Sequence, residues 1–333
     1  MEHVKNKKEI QAYRQSIFQQ NENIYEQQKK TTPNSFSIPI QDYPGPICSV
    51  INSQIEFLQM YTNEAIRHYL SKGISGDKIC ALNFANSTYV GGGVTKGSIA
   101  QEETLCLTSP MLYHSLATVG SKTEGGSLKY TGYTRWNQRI IISKNVEFIR
   151  DGSSLRLLNE SEKYTASIIS AAAPNNKRKT TPLSSSEIHD IEIVIRNILN
   201  LAGCVNDFEV LILGAWGCGA FAPQAPTATF DDTRLYVNTI ASIFSSVLKT
   251  SKTNLKTICF AIPPKSQFEQ LDKYNIFIKH IGTTPEKAVA PSSAATAPVS
   301  PPPTAPAQTK IDVLTDAVKK IIKNAIISKI FEK

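Results

Sequence analysis

"KICALNFANSTYVGGGVTKGSIAQEETLCL" (residues 78–107) runs from an apolar stretch through a loop with three consecutive glycines to an acidic pair. Its first part, "KICALNFA" (residues 78–85), is continuously apolar apart from its ends and one asparagine, as a strand buried on both faces would be. The loop that follows has no side chains at Gly91, Gly92 and Gly93. Uncovered backbone N–H groups can converge on phosphate oxygens, and a following helix N-terminus adds a favourable field. Tight turns alone also use glycine, so the loop has two readings. Gln101, Glu102 and Glu103 come next. Glutamates at a helix start complement its dipole. Just past a loop shaped to approach a ligand, a buried carboxyl can also take a raised pKa and deliver a proton to a leaving oxygen, as in glycosidic bond cleavage.

Outward from this stretch the pattern repeats. "IEFL" (55–58), "QRIIIS" (138–143), "YTASIISAA" (164–172), "EVLILGA" (209–215) and "TICFAI" (257–262) read as further strands. Between them lie helical periodicities: Thr62 to Leu70, residues 187 to 201 after a Ser184/Glu187 capping pair, and Val237, Ile240, Ala241, Phe244 and Leu248 on one face. Ile10, Tyr13, Ile17 and Ile24 mark an amphipathic helix near the start, lying against a core made elsewhere. The fold class is therefore α/β, a sheet sandwiched between helices, whose ligands bind at loops beyond the carboxyl ends of strands. A second glycine loop, "GAWGCGAF" (214–221), follows such a strand. Its Phe221 suits stacking on a base or ribose, or a place in the core.

With 333 residues, 41% of them hydrophobic, the chain has material for a sizeable core, and its net charge of +8 favours polyanionic partners. The six cysteines, Cys48, Cys80, Cys106, Cys204, Cys218 and Cys259, are widely spaced and read as buried thiols in a reducing compartment. The five histidines are scattered, so neither a metal site nor a cofactor is expected. No secretory leader or run of about 18 apolar residues is visible, which makes the expected location intracellular, with delivery into another cell left open. Residues 1–282 read as the globular domain with its N-terminal helical extension. Residues 283–309, rich in Pro, Ala, Ser and Thr, read as a flexible linker. Residues 310–333 read as a basic amphipathic helix, with Ile311, Leu314, Val318, Ile321, Ile322 and Ala325 on one face, fit to contact a partner or a membrane surface.

The string GGG, a short spacer and QEE resembles the signature of the microbial-type poly(ADP-ribose) glycohydrolases. Further stretches are similar to that family: "IEFLQMYTNEAIRHYL" (55–70), "LNFAN" (82–86), "VEFIRDG" (146–152), "SIISAAAPN" (167–175), "VLILGAWGCGAF" (210–221) and "FAIPP" (260–264). The likeness spans roughly residues 10–282. The family usually has proline before GGG, where this chain has Val90, and the "APQAP" after the second loop also departs from its pattern.

The resemblance implies a macrodomain-like mixed sheet with N-terminal accessory helices. It also implies hydrolysis of ribose–ribose O-glycosidic bonds in poly(ADP-ribose), with ADP-ribose as product and no metal or cofactor. Glu103 would be the catalytic acid and base, with Glu102 and Gln101 orienting the ribose and the scissile linkage. Gly91, Gly92 and Gly93 would lie against the diphosphate and distal ribose, Gly217, Cys218, Gly219 and Ala220 would wrap the diphosphate from the other side, Phe221 would pack on the terminal ribose region, and Asn86 would hold that ribose. The expected partners are poly(ADP-ribose) or an ADP-ribosylated protein, without sequence-specific nucleic acid binding. Two rivals share the pocket: a mono-ADP-ribosyl hydrolase, and a non-catalytic ADP-ribose reader, against which the intact acid pair argues. Binding nucleic acid through the basic surface ranks lowest, for want of an aromatic-interleaved basic motif.

Overall fold

The computed structural model describes residues 7–28, 35–42, 53–132, 135–224, 226–265 and 271–282. In chain order it begins α1 (Lys7–Gln28), β1 (Ser35–Pro39), β2 (Gln54–Leu58), α2 (Thr62–Ser71), β3 (Ile79–Ala85), α3 (Gln101–Thr108) and α4 (Pro110–Ala117). A hairpin of β4 (Gly120–Lys122) and β5 (Leu128–Tyr130) follows, then β6 (Arg139–Phe148), β7 (Tyr164–Ala172), α5 (Ser185–Asn200), β8 (Val210–Leu213), α6 (Phe230–Thr250), β9 (Thr257–Ala261) and α7 (Lys273–Ile281). Seven strands form one mixed sheet in the order β1-β6-β7-β3-β8-β9-β2. The pairs β1/β6 and β6/β7 are antiparallel, and every neighbour from β7 to β2 is parallel.

The near-continuous apolar runs form strands because both faces are covered. In β3, Cys80 and Leu82 point into one core with Ile191, Ile195, Val237 and Phe244 of α5 and α6, while Ile79 and Ala81 point into a second with Ile66, Leu105 and Leu112 of α2, α3 and α4. Strands β7, β8 and β9 divide their side chains the same way. Helix α5 starts where its capping pair places it: the Ser184 hydroxyl accepts from the Glu187 N–H, and the Glu187 carboxylate accepts from the Ser184 N–H at 2.8 Å. Strand β6 runs past the expected end at Ser143 because its register shifts between Ser143 and Val146, with Asn145 at φ 51° absorbing the irregularity.

Helix α1 forms as expected, but its buried side chains are Arg14, Ile17 and Asn21, whereas Tyr13 is 40% exposed. Its docking face is thus partly polar. Cys80, Cys106, Cys218 and Cys259 are free and buried. Cys204, in the π turn Leu201–Val205 that ends α5, is disulfide-bonded, which corrects its reading as a thiol; Cys48 lies outside the described residues. No helix among the described residues is long and apolar enough to cross a membrane. All of them fall within the first of two units into which the chain divides, residues 1–283. The linker expected at 283–309 and the helix expected at 310–333 lie outside the described residues.

Candidate active site

Strands β3 and β8 pair only from Ile79/Val210 to Ala81/Ile212, although β3 stays paired with β7 as far as Ala85. Beyond Ala81 the β8-facing edge of β3 is therefore left open, and unpaired backbone groups there are costly. The side-chain amide of Gln101 satisfies them. Its Oε1 accepts from the Phe84 N–H at 2.8 Å, and its Nε2 donates to the Leu82 carbonyl at 2.7 Å and to the Thr62 hydroxyl at 3.1 Å. One glutamine thus fixes the start of α3 to the splayed strand. Between the separated strand ends lies a cavity of about 570 Å³, lined among others by Asn86, Gln101, Glu102, Glu103, Gly217, Cys218, Gly219, Ala220 and Phe221.

Both carboxylates in its wall are buried, Glu102 at 3% and Glu103 at 7% exposure. Glu102 Oε2 accepts from the Asn86 N–H at 2.8 Å, and Asn83 Nδ2 lies 3.4 Å from its Oε1. Burial, then the charge of Glu103, push the Glu102 carboxyl up to about 8, against which these two donors only partly act. The buried pair accordingly favours retaining a proton. Glu103 is held differently: Oε1 accepts from the Gly93 N–H at 2.8 Å, while its buried Oε2 has no hydrogen-bond partner. That oxygen has unused hydrogen-bonding capacity in the cleft wall.

The three glycines stand behind the acids and do not line the cavity. Gly91 and Gly92 adopt left-handed φ of 65° and 60°. A Cβ on Gly92 would stand 2.6 Å from Glu103 Oε1 and 2.7 Å from Glu102 Oε2. The bare backbone of this loop thus admits the two carboxylates themselves. Asn86, at the end of β3, uses its Oδ1 to accept from the Thr88 and Tyr89 N–H groups at 2.8 Å, leaving its Nδ2 free.

The opposite wall is the second glycine loop. Trp216, fully buried, anchors it by donating from its indole N–H to the Ala171 carbonyl at 2.9 Å. Cys218 N–H donates to the Ala215 carbonyl at 3.1 Å, and burial pushes the Cys218 thiol up to about 12, so it stays protonated. Gly219 has an ordinary φ, and a Cβ there would meet nothing within 4 Å. This glycine faces open cleft.

Three further contributors escaped the sequence reading. Lys265 and Lys273 line the cleft and bring positive charge to it. Arg14 of α1, buried at 7% exposure, donates from Nε to the Ser98 carbonyl and from Nη2 to the Thr104 hydroxyl, each at 3.0 Å, and the charge of Glu103 acts on it. The signal for Arg14 was its position one turn before Ile17 on the same helical face. Among the described residues, no group of three His, Cys, Asp or Glu side chains is placed to hold a metal ion.

A mixed sheet between helix layers, open beyond the carboxyl ends of its parallel strands and walled there by a buried carboxyl pair, defines a macrodomain-like ligand-binding fold. More particularly, residues 3–151 match the family model "Microbial-type PARG, catalytic domain", and the chain is similar to the microbial-type poly(ADP-ribose) glycohydrolases. It resembles the poly(ADP-ribose) glycohydrolase of Thermomonospora curvata bound to the inhibitor ADP-HPD, at 22% identity and a TM-score of 0.59 over 80% of this chain and 99% of that one. It likewise resembles the Deinococcus radiodurans enzyme in complex with ADP-ribose, at 24% identity and a TM-score of 0.53 over 70% of this chain and 86% of that one. No curated protein sequence matches the chain.

Proposed function

We propose that the protein hydrolyses the ribose–ribose O-glycosidic bonds of poly(ADP-ribose) and releases ADP-ribose. The observation that carries this reading is the setting of Glu103: a buried carboxyl group in the wall of a ligand-sized cleft, tied to a backbone N–H through one oxygen and unpartnered at the other. A carboxyl so placed protonates the departing hydroxyl oxygen as the C–O bond breaks and the anomeric carbon gains oxocarbenium character. It then takes a proton from the attacking water. Burial and the closeness of the two carboxyls favour one proton held on the Glu102–Glu103 pair, and that proton is the one Glu103 delivers to the leaving oxygen. The diphosphate lies along the Gly217–Ala220 loop with Lys265 and Lys273 near, the Asn86 amide holds the distal ribose, and Phe221 packs against it. Gly91, Gly92 and Gly93 support the two acids from behind.

The family match over residues 3–151 and the relatives with inhibitor or ADP-ribose bound support this reading. The domain division belongs to the same proposal: residues 1–282 suffice for hydrolysis, and the tail beyond 282 acts on location or association through a partner or membrane surface. The test is incubation of the full chain, and of residues 1–282, with poly(ADP-ribose) and separately with a mono-ADP-ribosylated protein, followed by assay of free ADP-ribose. Release from the polymer by both forms is expected. ADP-ribose binding without release would leave a reader, and release from the mono-modified protein alone would leave a mono-ADP-ribosyl hydrolase.

A further inference from the structure

Next to the cleft lies a second cavity of about 520 Å³, and the two share Asn86, Ala173 and Phe221 as walls. Of these shared walls, Asn86 is also tied to the acid pair, its N–H donating to Glu102 Oε2 at 2.8 Å. On its far side the second cavity is lined by Arg135, Trp136, Asn137 and Asp190. Trp136 is half-buried and rests against the core, its ring centroid 6.2 Å from that of Trp216. Arg135 is exposed at the cavity edge, and its guanidinium makes no hydrogen bond or ion pair with any described residue. Its backbone is nonetheless fixed, the Arg135 N–H donating to Gln138 Oε1 at 2.8 Å.

These groups match a nucleotide. An indole held against a core offers a base a stacking face, a free guanidinium offers a diphosphate its charge, and Asn137 with Asp190 offers hydrogen bonds to ribose hydroxyls. The substrate's own chemistry supplies an occupant of that kind. A bond between two ADP-ribose units, cut at the acids, has one unit in the first cleft and the other leaving on the opposite side of the scissile oxygen. A side chain leaving a mono-ADP-ribosylated protein needs no nucleotide-sized cavity.

We propose that this second cavity binds the leaving ADP-ribose unit, with Trp136 stacking on its adenine and Arg135 on its diphosphate, and thereby selects polymer over mono-ADP-ribosylated substrates. The inference rests on the hydrolase reading above.

The test uses the full chain, its Arg135→Ala, Arg135→Lys and Trp136→Leu variants, a defined ADP-ribose dimer and free ADP-ribose. Arg135→Ala and Trp136→Leu are expected to raise KM for the dimer about tenfold each, the scale of one stacked base or one charge-assisted contact, with free ADP-ribose affinity by calorimetry unchanged. Arg135→Lys is expected to recover part of the loss. Arg135 is exposed, so its variants keep the result readable should Trp136→Leu fail to fold. An unchanged dimer KM in the Arg135 variants overturns the inference. So does a parallel loss of free ADP-ribose affinity, which would make the cavity part of the first site. A wild-type protein that does not turn over the dimer at all overturns the hydrolase reading, and this inference with it.

Discussion

The two glycine loops occupy equivalent places, each just beyond the carboxyl end of a central parallel strand, yet they are bare for different reasons. After β3, Gly92 is bare because two carboxylate oxygens lie within 2.7 Å of the point where its Cβ would stand. After β8, Gly219 is bare on the side of the open cleft, where a Cβ would touch no protein atom. One loop makes room for the reacting groups of the protein, the other for a ligand. A glycine in a binding loop therefore cannot be read as a phosphate contact until it is known what its missing side chain would strike.

Substitution separates the two cases. Gly92→Val would force a β-branched residue to a φ of 60° and drive its side chain into both carboxylates, so we expect turnover to fall at least about a hundredfold with a lower melting temperature. Gly219→Val meets no such obstacle. It should melt like the wild type while losing about tenfold in ADP-ribose affinity, the scale of one displaced hydrogen bond to a charged group. Calorimetry and melting curves on both variants check the contrast, and equal losses of stability in the two would erase it.

Much of this contrast was beyond the sequence. The apolar runs of β3, β7, β8 and β9 and the spacing of GGG to QEE were legible because a strand buried on both faces and a short glycine-rich connection leave local signals. That Gln101 completes the splayed edge of β3 was not, since it depends on β8 diverging after Ile212, a property of packing. Strand β1 was missed because "SFSIP" is short, half polar and ends in proline, as an edge strand can. The docking face of α1 was misjudged for a related reason: periodicity counts apolar residues, and this helix is held by Arg14 and Asn21 as well as Ile17. Lys265 and Lys273 reach the cleft from a distant part of the chain, and no local pattern marks them.

Arg14 provides a second way to sharpen the comparison, because it secures the acid-bearing loop and touches nothing of the other. Arg14→Met removes its bonds to the Ser98 carbonyl and the Thr104 hydroxyl. Turnover should fall about tenfold, in keeping with hydrogen bonds to a charged group worth ~2 kcal/mol. ADP-ribose affinity should move little, and Arg14→Lys should recover part of the rate. Equal falls in turnover and affinity would show that α1 supports the whole cleft and not the acids in particular.

The smallest effect expected is on stability and has a definite sign. Burial raises Glu102 from the usual 4.5 to about 8, so the folded protein keeps a proton that the unfolded chain has lost between these values. The stability associated with Glu102 is full below pH 4.5 and is lost as pH rises through about 8. Glu102→Gln escapes that loss. It should melt a few degrees above the wild type at pH 8 to 9 and show no such advantage at pH 4.5, the scale of about 1 kcal/mol in a domain of this size. A wild-type melting temperature that rises with pH over this range would contradict the assignment. Activity should decline over the same range, as Glu102 ionises beside Glu103.

The most direct test of the account is Glu103→Gln, which keeps the shape of the side chain and its acceptance of the Gly93 N–H but cannot transfer a proton. ADP-ribose release from poly(ADP-ribose) and affinity for free ADP-ribose would be measured on the same preparation, with a melting curve as control for the fold. The account predicts turnover lower by at least about a hundredfold with affinity and melting temperature nearly those of the wild type. A Glu103→Gln protein that releases ADP-ribose at the wild-type rate would contradict it.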